Sequence, residues 1–263
     1  MKQTFLYFGS NLKMYKTPSE TAEFVRGVSA RTKDFEGLPV KRFLIPSFPS
    51  LPAAGEAASG GLMLGAQNMH FEENGQFTGE VSARMLEDLG CVQIVEIGHS
   101  ERRHVFGETS GDCGKKVQTA LRHGFTALLC VGESAEEKSF DCSDEVLRMQ
   151  LKYGLRGASD AALREDRLWI AYEPVWAIGV SGVPAEAGYV AERHTAIRRC
   201  LCELFGDAGQ KVPVLFGGSV NPENAEGYIV QDNVDGLFVG RAAWTAEGFD
   251  ALLRQVWPLY LNK

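Results

Sequence analysis

What this chain of 263 residues lacks narrows it first. No stretch reaches the roughly 18 consecutive apolar residues of a membrane-spanning helix. The opening segment, Met1 to Leu12, is too short and too polar at its far end to read as a secretory leader. Six cysteines occur (Cys91, Cys113, Cys130, Cys142, Cys200 and Cys202), but no C-x-x-C pair, and no histidine stands at zinc spacing from them. They read as free thiols of a cytoplasmic protein, with disulfides or a metal as the lesser alternative. An excess of positive charge is also missing. Lys+Arg number 27 against 34 Asp+Glu, a net charge of −7, which argues against a nucleic-acid or anionic-membrane binder. An anionic small molecule would have to be held by local features. No fixed-period repeat and no low-complexity linker is visible, so residues 1–263 are expected to form one domain.

What is there is a rhythm. Eight short apolar runs recur: Phe5–Ser10, Arg42–Pro46, Leu62–Gln67, Val92–Gly98, Ala127–Gly132, Leu168–Tyr172, Val212–Phe216 and Gly236–Gly240. They are almost free of charge, as strands buried on both faces are. Between them lie segments with apolar residues at three- and four-residue spacing. One face reads Val146, Met149, Gln150, Tyr153, Gly154, another Val190, His194, Ile197, Leu201. Eight strand–helix units in this length predict a single α/β fold, a closed (β/α)8 barrel. The alternative is an open doubly wound sheet. It would normally carry a Gly-rich phosphate fingerprint after the first strand, and Phe8-Gly9-Ser10-Asn11 lacks one.

A barrel of this kind does its chemistry at the carboxyl ends of its strands. Those positions hold Asn11 and Lys13, Gln67-Asn68, His99-Ser100-Glu101, Glu133, Glu173, Gly217-Gly218-Ser219 and Gly240-Arg241. The glycine turns after the seventh and eighth runs expose backbone N–H groups, and each is expected to lead into a helix, an arrangement that suits a phosphate. The plainer reading is tight turns alone. Glu173, between apolar neighbours such as Trp176 and Ile178, is placed for general-base work, although a lone glutamate there is more often structural. His99 precedes a helix start, where the positive dipole end favours a neutral imidazole able to donate a hydrogen bond. His70, His104, His123 and His194 read as structural or solvated. Lys13, at the functional end of the first strand, could stabilise developing negative charge. One base, one neutral donor, one cation and a phosphate grip describe enolisation of a phosphorylated hydroxy-carbonyl compound, with no cofactor and no metal.

At these same residues the chain resembles the triosephosphate isomerase family. The matching segments are Asn11-Leu12-Lys13-Met14, Gly65-Ala66-Gln67-Asn68, Phe77-Thr78-Gly79-Glu80, Gly98-His99-Ser100-Glu101-Arg102-Arg103, Ala171 to Gly179 and Gly217-Gly218-Ser219-Val220. They span the whole chain in order. The resemblance implies interconversion of D-glyceraldehyde 3-phosphate and dihydroxyacetone phosphate through an enediolate. It makes Glu173 the base and His99 the neutral electrophile, roles known for the family rather than read from spacing. Lys13 and Asn11 would serve the carbonyl, and Glu101 would be an auxiliary acid. Gly179, Ser219, Gly240 and Arg241 would hold the phosphate. Pro174 to Pro184 would be a mobile lid that excludes water. The resemblance also implies a homodimer, with the loop around Phe77-Thr78-Gly79 reaching toward the partner's Lys13.

The chain departs from the family pattern in several places. The lid's second half reads Val180-Ser181-Gly182-Val183-Pro184, and its proline restricts the hinge. Phe216 replaces a common tyrosine, Leu12 a tryptophan, and Arg241 a second glycine. Gln67-Asn68-Met69-His70, the lid and the segment Arg241–Trp244 are similar to a branch that isomerises the four-carbon L-erythrulose 1-phosphate with the same catalytic set. Two readings from other classes remain: a metal-dependent sugar-phosphate barrel, which needs more ligands than His99, Glu101 and Glu173, and a non-catalytic barrel, which has no need to keep Glu173, His99 and Lys13 together.

Overall fold

The computed structural model describes residues 4–158, 162–163, 165–179 and 182–263. Eight parallel strands close on themselves in sequence order: β1 Leu6–Asn11, β2 Val40–Ile45, β3 Met63–Ala66, β4 Ile94–Ile97, β5 Thr126–Val131, β6 Leu168–Tyr172, β7 Val214–Phe216 and β8 Gly236–Phe238. Each lies within or beside one of the eight apolar runs. The barrel closes where Tyr7, Phe8 and Gly9 pair with Gly236, Leu237 and Phe238.

Period-two alternation divides every strand between two cores. Tyr7, Phe43, Ile45, Ile94, Leu128, Cys130, Trp169, Ala171, Leu215 and Phe238 fill the barrel interior. Their neighbours Phe8, Leu44, Val95, Leu129, Ile170, Phe216 and Leu237 face outward and join the larger core beneath the helices. Trp169 and Phe43 pack with ring centroids 5.5 Å apart inside the barrel. Gly9 makes room for them, because a Cβ there would lie 2.3 Å from the Phe43 ring.

The helices start on signals in the chain. Pro18–Arg31 (α1) opens with Thr17 and Glu20 in a reciprocal capping box, with proline in its first turn. The other long helices are Ser110–Arg122, Ser143–Gly154, Ala187–Phe205 and Ala246–Leu261. On Ala187–Phe205, Val190, His194, Ile197 and Leu201 are all buried, as their spacing predicts. On Ser143–Gly154 the buried stripe is Val146, Leu147, Gln150, Leu151 and Gly154. Met149 and Tyr153, expected on it, are about half exposed, at 49% and 55%. The apolar face is therefore rotated toward Leu147 and Leu151, which the three- and four-residue spacing alone did not single out. Among the described residues, no helix is long and apolar enough to cross a membrane.

Candidate active site

At the carboxyl end of the barrel a cavity of about 570 Å³ is lined by Asn11, Lys13, His99, Glu101 and Glu173 on one side and by Gly179, Ser219, Gly240 and Arg241 on the other. All nine residues singled out from the sequence thus border one space. They come from the ends of five of the eight strands, β1, β4, β6, β7 and β8, and the loops that follow them.

Asn11 ends β1 facing inward and is held at every polar group. Its Nδ2 donates to Glu96 Oε2 at 2.7 Å, and its Oδ1 accepts from the Lys13 amide at 2.6 Å and from Gln67 Nε2 at 3.1 Å. Its backbone oxygen accepts from Trp244 Nε1 at 2.9 Å. These bonds support the left-handed backbone of Lys13, φ 50°, which a side chain other than glycine rarely adopts. The turn sends the Lys13 ammonium over the cavity, where it donates to Glu101 Oε1 at 2.7 Å.

His99 caps the short helix Ser100–His104, and its Nδ1 accepts from the backbone amide of Glu101 at 3.2 Å. A ring nitrogen that accepts a hydrogen bond carries no proton. This network therefore assigns His99 as a neutral imidazole with its hydrogen on Nε2. Nε2 lies 3.7 Å from Glu173 Oε2, longer than a hydrogen bond, with both side chains 5% exposed. Glu173 follows β6, its amide donating to Val131 O at 2.8 Å. Its Oε2 is buried and has no hydrogen-bond partner among the described residues. An unpartnered, nearly dry carboxylate oxygen beside a neutral imidazole N–H is a competent arrangement for taking a proton from carbon while a donor steadies the neighbouring oxygen.

On the phosphate side each glycine turn leads into a helix, as expected, but a short one. After β7 the chain makes an Asn221 turn and reaches a five-residue helix only at Ala225; after β8 comes the three-residue 3-10 turn Arg241–Ala243. Neither glycine turn runs straight into a long helix, so any grip there rests on backbone N–H groups and Arg241 rather than on a helix terminus. Gly179 has φ 84°, and a Cβ at Gly179 or Gly240 would meet nothing within 4 Å, so both backbones are open on that side. Ser219 Oγ donates to Ala177 O at 2.7 Å and Arg241 donates to Gly179 O at 3.2 Å, tying the turns after β7 and β8 to the segment after Glu173. Val180 and Ser181 of the expected lid lie outside the described residues.

Comparison with known proteins places this geometry. A family model described as triosephosphate isomerase matches residues 6–256. The chain belongs to the triosephosphate isomerase family. An L-erythrulose-1-phosphate isomerase of Rhizobium etli is 45% identical over 253 residues, covering 95% of this chain and 92% of that protein. A second protein of that name, from Rhizobium meliloti, is 42% identical with 97% and 98% covered. A triosephosphate isomerase of Carboxydothermus hydrogenoformans is 43% identical with 94% and 97% covered. The crystal structure of triosephosphate isomerase from Bartonella henselae superimposes with a TM-score of 0.85 at 33% identity, covering 95% of this chain and 98% of that one.

Within this member of the triosephosphate isomerase family, some residues went unassigned in the sequence. Glu133, noted only as a rim residue, is fully buried and accepts from Tyr172, Trp176 and Tyr189, with Trp176 Nε1 at 3.0 Å and the Tyr189 hydroxyl at 2.8 Å. It ties Trp176, in the segment after Glu173, to Tyr172 and Tyr189. Lys138 lies 3.6 Å above the Trp176 ring on the same side. Glu96 was hidden inside an apolar run, and the signal for it was the lone charge of that run. Glu96, His99 and Glu173 bring one ligand atom each within 4.8 Å of one another and are the described residues best placed to hold a divalent cation.

Proposed function

We propose that this protein is a cofactor-independent isomerase that moves a carbonyl between adjacent carbons of a short sugar phosphate through an enediolate. The observation that carries the reading is the pairing of Glu173, buried with a free oxygen, and His99, whose Nδ1 is occupied by a backbone amide so that its Nε2–H faces the same cavity. Glu173 takes the proton from the carbon beside the carbonyl and returns it to the neighbouring carbon. His99 Nε2–H and the Lys13 ammonium stabilise the enediolate oxygens, with Asn11 fixing the Lys13 turn and Glu101 holding its ammonium. The electrons stay within the substrate, so no redox partner is called for. Gly179, Ser219, Gly240 and Arg241 are proposed to hold the phosphate. Its charge is matched locally in a protein whose net charge is −7.

The first substrate reading is D-glyceraldehyde 3-phosphate and dihydroxyacetone phosphate, the family's reaction, in a glycolytic-type role. A second reading is supported by the two relatives, 45% and 42% identical, named for L-erythrulose 1-phosphate. That substrate bears a hydroxymethyl group where the triose bears hydrogen, and the same proton transfer yields a second ketose phosphate. Trp244, in the segment Arg241–Trp244 that departs from the family pattern, packs at a tilt against Tyr15 with ring centroids 4.5 Å apart at the cavity edge. The deciding experiment is the ratio of kcat/KM for the two substrates. Triose turnover near 10⁸ M⁻¹s⁻¹, the order of the diffusional ceiling, fixes the first reading. A wide margin for the four-carbon ketose fixes the second, and no turnover of either rejects the isomerase.

We further propose a cytoplasmic homodimer. All six cysteines are free thiols. Met14 and Tyr15 beside Lys13, with Phe77, Val105 and Phe106, are large apolar side chains left exposed, Met14 at 94%. Exposed apolar side chains of this size, where they cluster, favour association. Sedimentation under reducing conditions should give a dimer; a fully active monomer would contradict it.

A further inference from the structure

Glu96 is a carboxylate in the middle of an otherwise apolar strand, β4, where Ile94, Val95 and Ile97 surround it. It faces inward beneath the cavity floor and is 1% exposed. Its Oε2 accepts from Asn11 Nδ2 at 2.7 Å, and Cys130 Sγ donates to its Oε1 across 3.8 Å. The groups that face it are Asn11 and Lys13 from the end of β1, Cys130 from β5, Glu173 from the end of β6 and His99 from the end of its own strand. Two carboxylates with oxygens inside 4.8 Å, in a site closed to water, cannot both carry full charge at low cost. The unpartnered Glu173 Oε2 is the second half of that observation.

We propose that Glu96 is a positioning residue of the isomerisation: its Oε2 holds Asn11 from below, and its buried carboxyl, while it keeps its proton, spares the forming enediolate a second negative charge beneath it. The inference rests on the isomerase reading above and adds a residue to it. Burial pushes the Glu96 carboxyl up to about 7; the Glu173 charge adds to the rise, while His99, the Asn11 amide and Lys13 oppose it. Below that point Glu96 holds its proton and adds no charge beneath the substrate. Above it the proton passes to solvent and a second negative charge lies under the forming enediolate, opposing it. Activity then falls on the alkaline side through the ionisation of Glu96.

The test uses the full chain with Glu96→Gln, which keeps an oxygen for Asn11 Nδ2 but cannot titrate, and Glu96→Leu, which lacks both properties. Rates are measured from pH 6.5 to 9, above the second ionisation of a phosphate monoester near 6, with whichever sugar phosphate the wild type turns over fastest. The wild-type kcat/KM should drop at least threefold through a step near neutrality, and Glu96→Gln should lack the step. Glu96→Leu should show a KM at least fivefold above that of Glu96→Gln, because Asn11 has lost its acceptor. In parallel, ¹³C spectra of the resting enzyme labelled at glutamate carboxyls should show one resonance titrating near neutrality, missing in Glu96→Gln and moved to lower pH in Glu173→Gln. A wild type and Glu96→Gln with the same profile and the same carboxyl spectrum overturn the inference while leaving the isomerase intact. An enzyme inactive on every sugar phosphate rejects the isomerase, and the spectra still decide whether Glu96 keeps its proton to near neutrality.

Discussion

Gly217 sits against the base, and the structure sets what a single added methyl should cost. A Cβ built on Gly217 would lie 2.8 Å from Glu173 Cγ and 2.9 Å from Oε1, where ordinary contact begins at 3.4 Å. The backbone of Gly217 does not need glycine's left-handed freedom, so Gly217→Ala should fold, and the strain should be relieved by pushing the Glu173 side chain away. The shortfall against ordinary contact is about 0.6 Å (3.4 less 2.8). Misplacing a catalytic group by 1 Å costs up to about 10²-fold, so kcat should fall about tenfold, which is about 1.4 kcal/mol of transition-state stabilisation. KM should change little, since the phosphate grip is untouched. The assay is steady-state turnover with the better of the two sugar phosphates, alongside a melting curve. Repeating the substitution in a Glu173→Gln background should add less than twofold, because the group it displaces is already disabled. A Gly217→Ala enzyme with wild-type kcat, or one whose loss persists undiminished in that background, would refute the argument that the methyl acts through the base.

Other consequences are open to the same kind of measurement. Glu173→Asp should keep the fold and lower kcat about 10²-fold, because one methylene withdraws the carboxylate by roughly 1 Å; unchanged turnover would remove Glu173 from the base role. Glu133→Ala takes the acceptor from the buried Tyr172 hydroxyl and the half-buried Trp176 indole, while Tyr189 keeps Ser143, and should cost about 3 kcal/mol in urea unfolding; a loss under 1 kcal/mol would contradict that placement. Burial holds His194 down to about 3, against an ordinary 6.5. The unfolded chain therefore binds a proton that the folded one refuses, and stability should decline as pH falls from 6.5 toward 3 by up to about 1.4 kcal/mol per unit. His194→Gln should flatten that slope, and an equally steep slope in the variant would assign it elsewhere. Dialysis against a chelator should leave activity unchanged; a large loss, restored by a divalent cation, would turn the Glu96–His99–Glu173 cluster into a metal site.

The barrel was legible because its cause is local and repeated. Eight charge-poor runs such as Leu168–Tyr172, separated by helical spacing, leave few other folds. Much of the candidate site was legible for a related reason: residues just past each run, among them Lys13, His99 and Glu173, converge on one rim whenever the runs close into a barrel. Pattern reading failed where side chains act across the barrel. Glu96 pairs with Asn11 across 85 positions of sequence, and nothing in the run Val92–Gly98 tells which of its members points inward. Met149 and Tyr153 fit a helical spacing equally well on a face that solvent covers, since periodicity fixes a stripe only to within one residue. The glycine turns lead into short helices only, after local bonds among Ser219, Asn221, Glu223 and Asn224 in one case and through contacts to distant Gly179 and Asn11 in the other.

Turnover in deuterium oxide, followed by NMR of the product, tests the central claim that a buried carboxylate moves the proton between adjacent carbons. The account predicts solvent deuterium on the carbon that receives the proton in the wild type, and its disappearance together with isomerisation in Glu173→Gln. Isomerisation without any deuterium uptake would point to hydride transfer between the carbons, and uptake that survives Glu173→Gln would mean another group is the base; either result would contradict the mechanism.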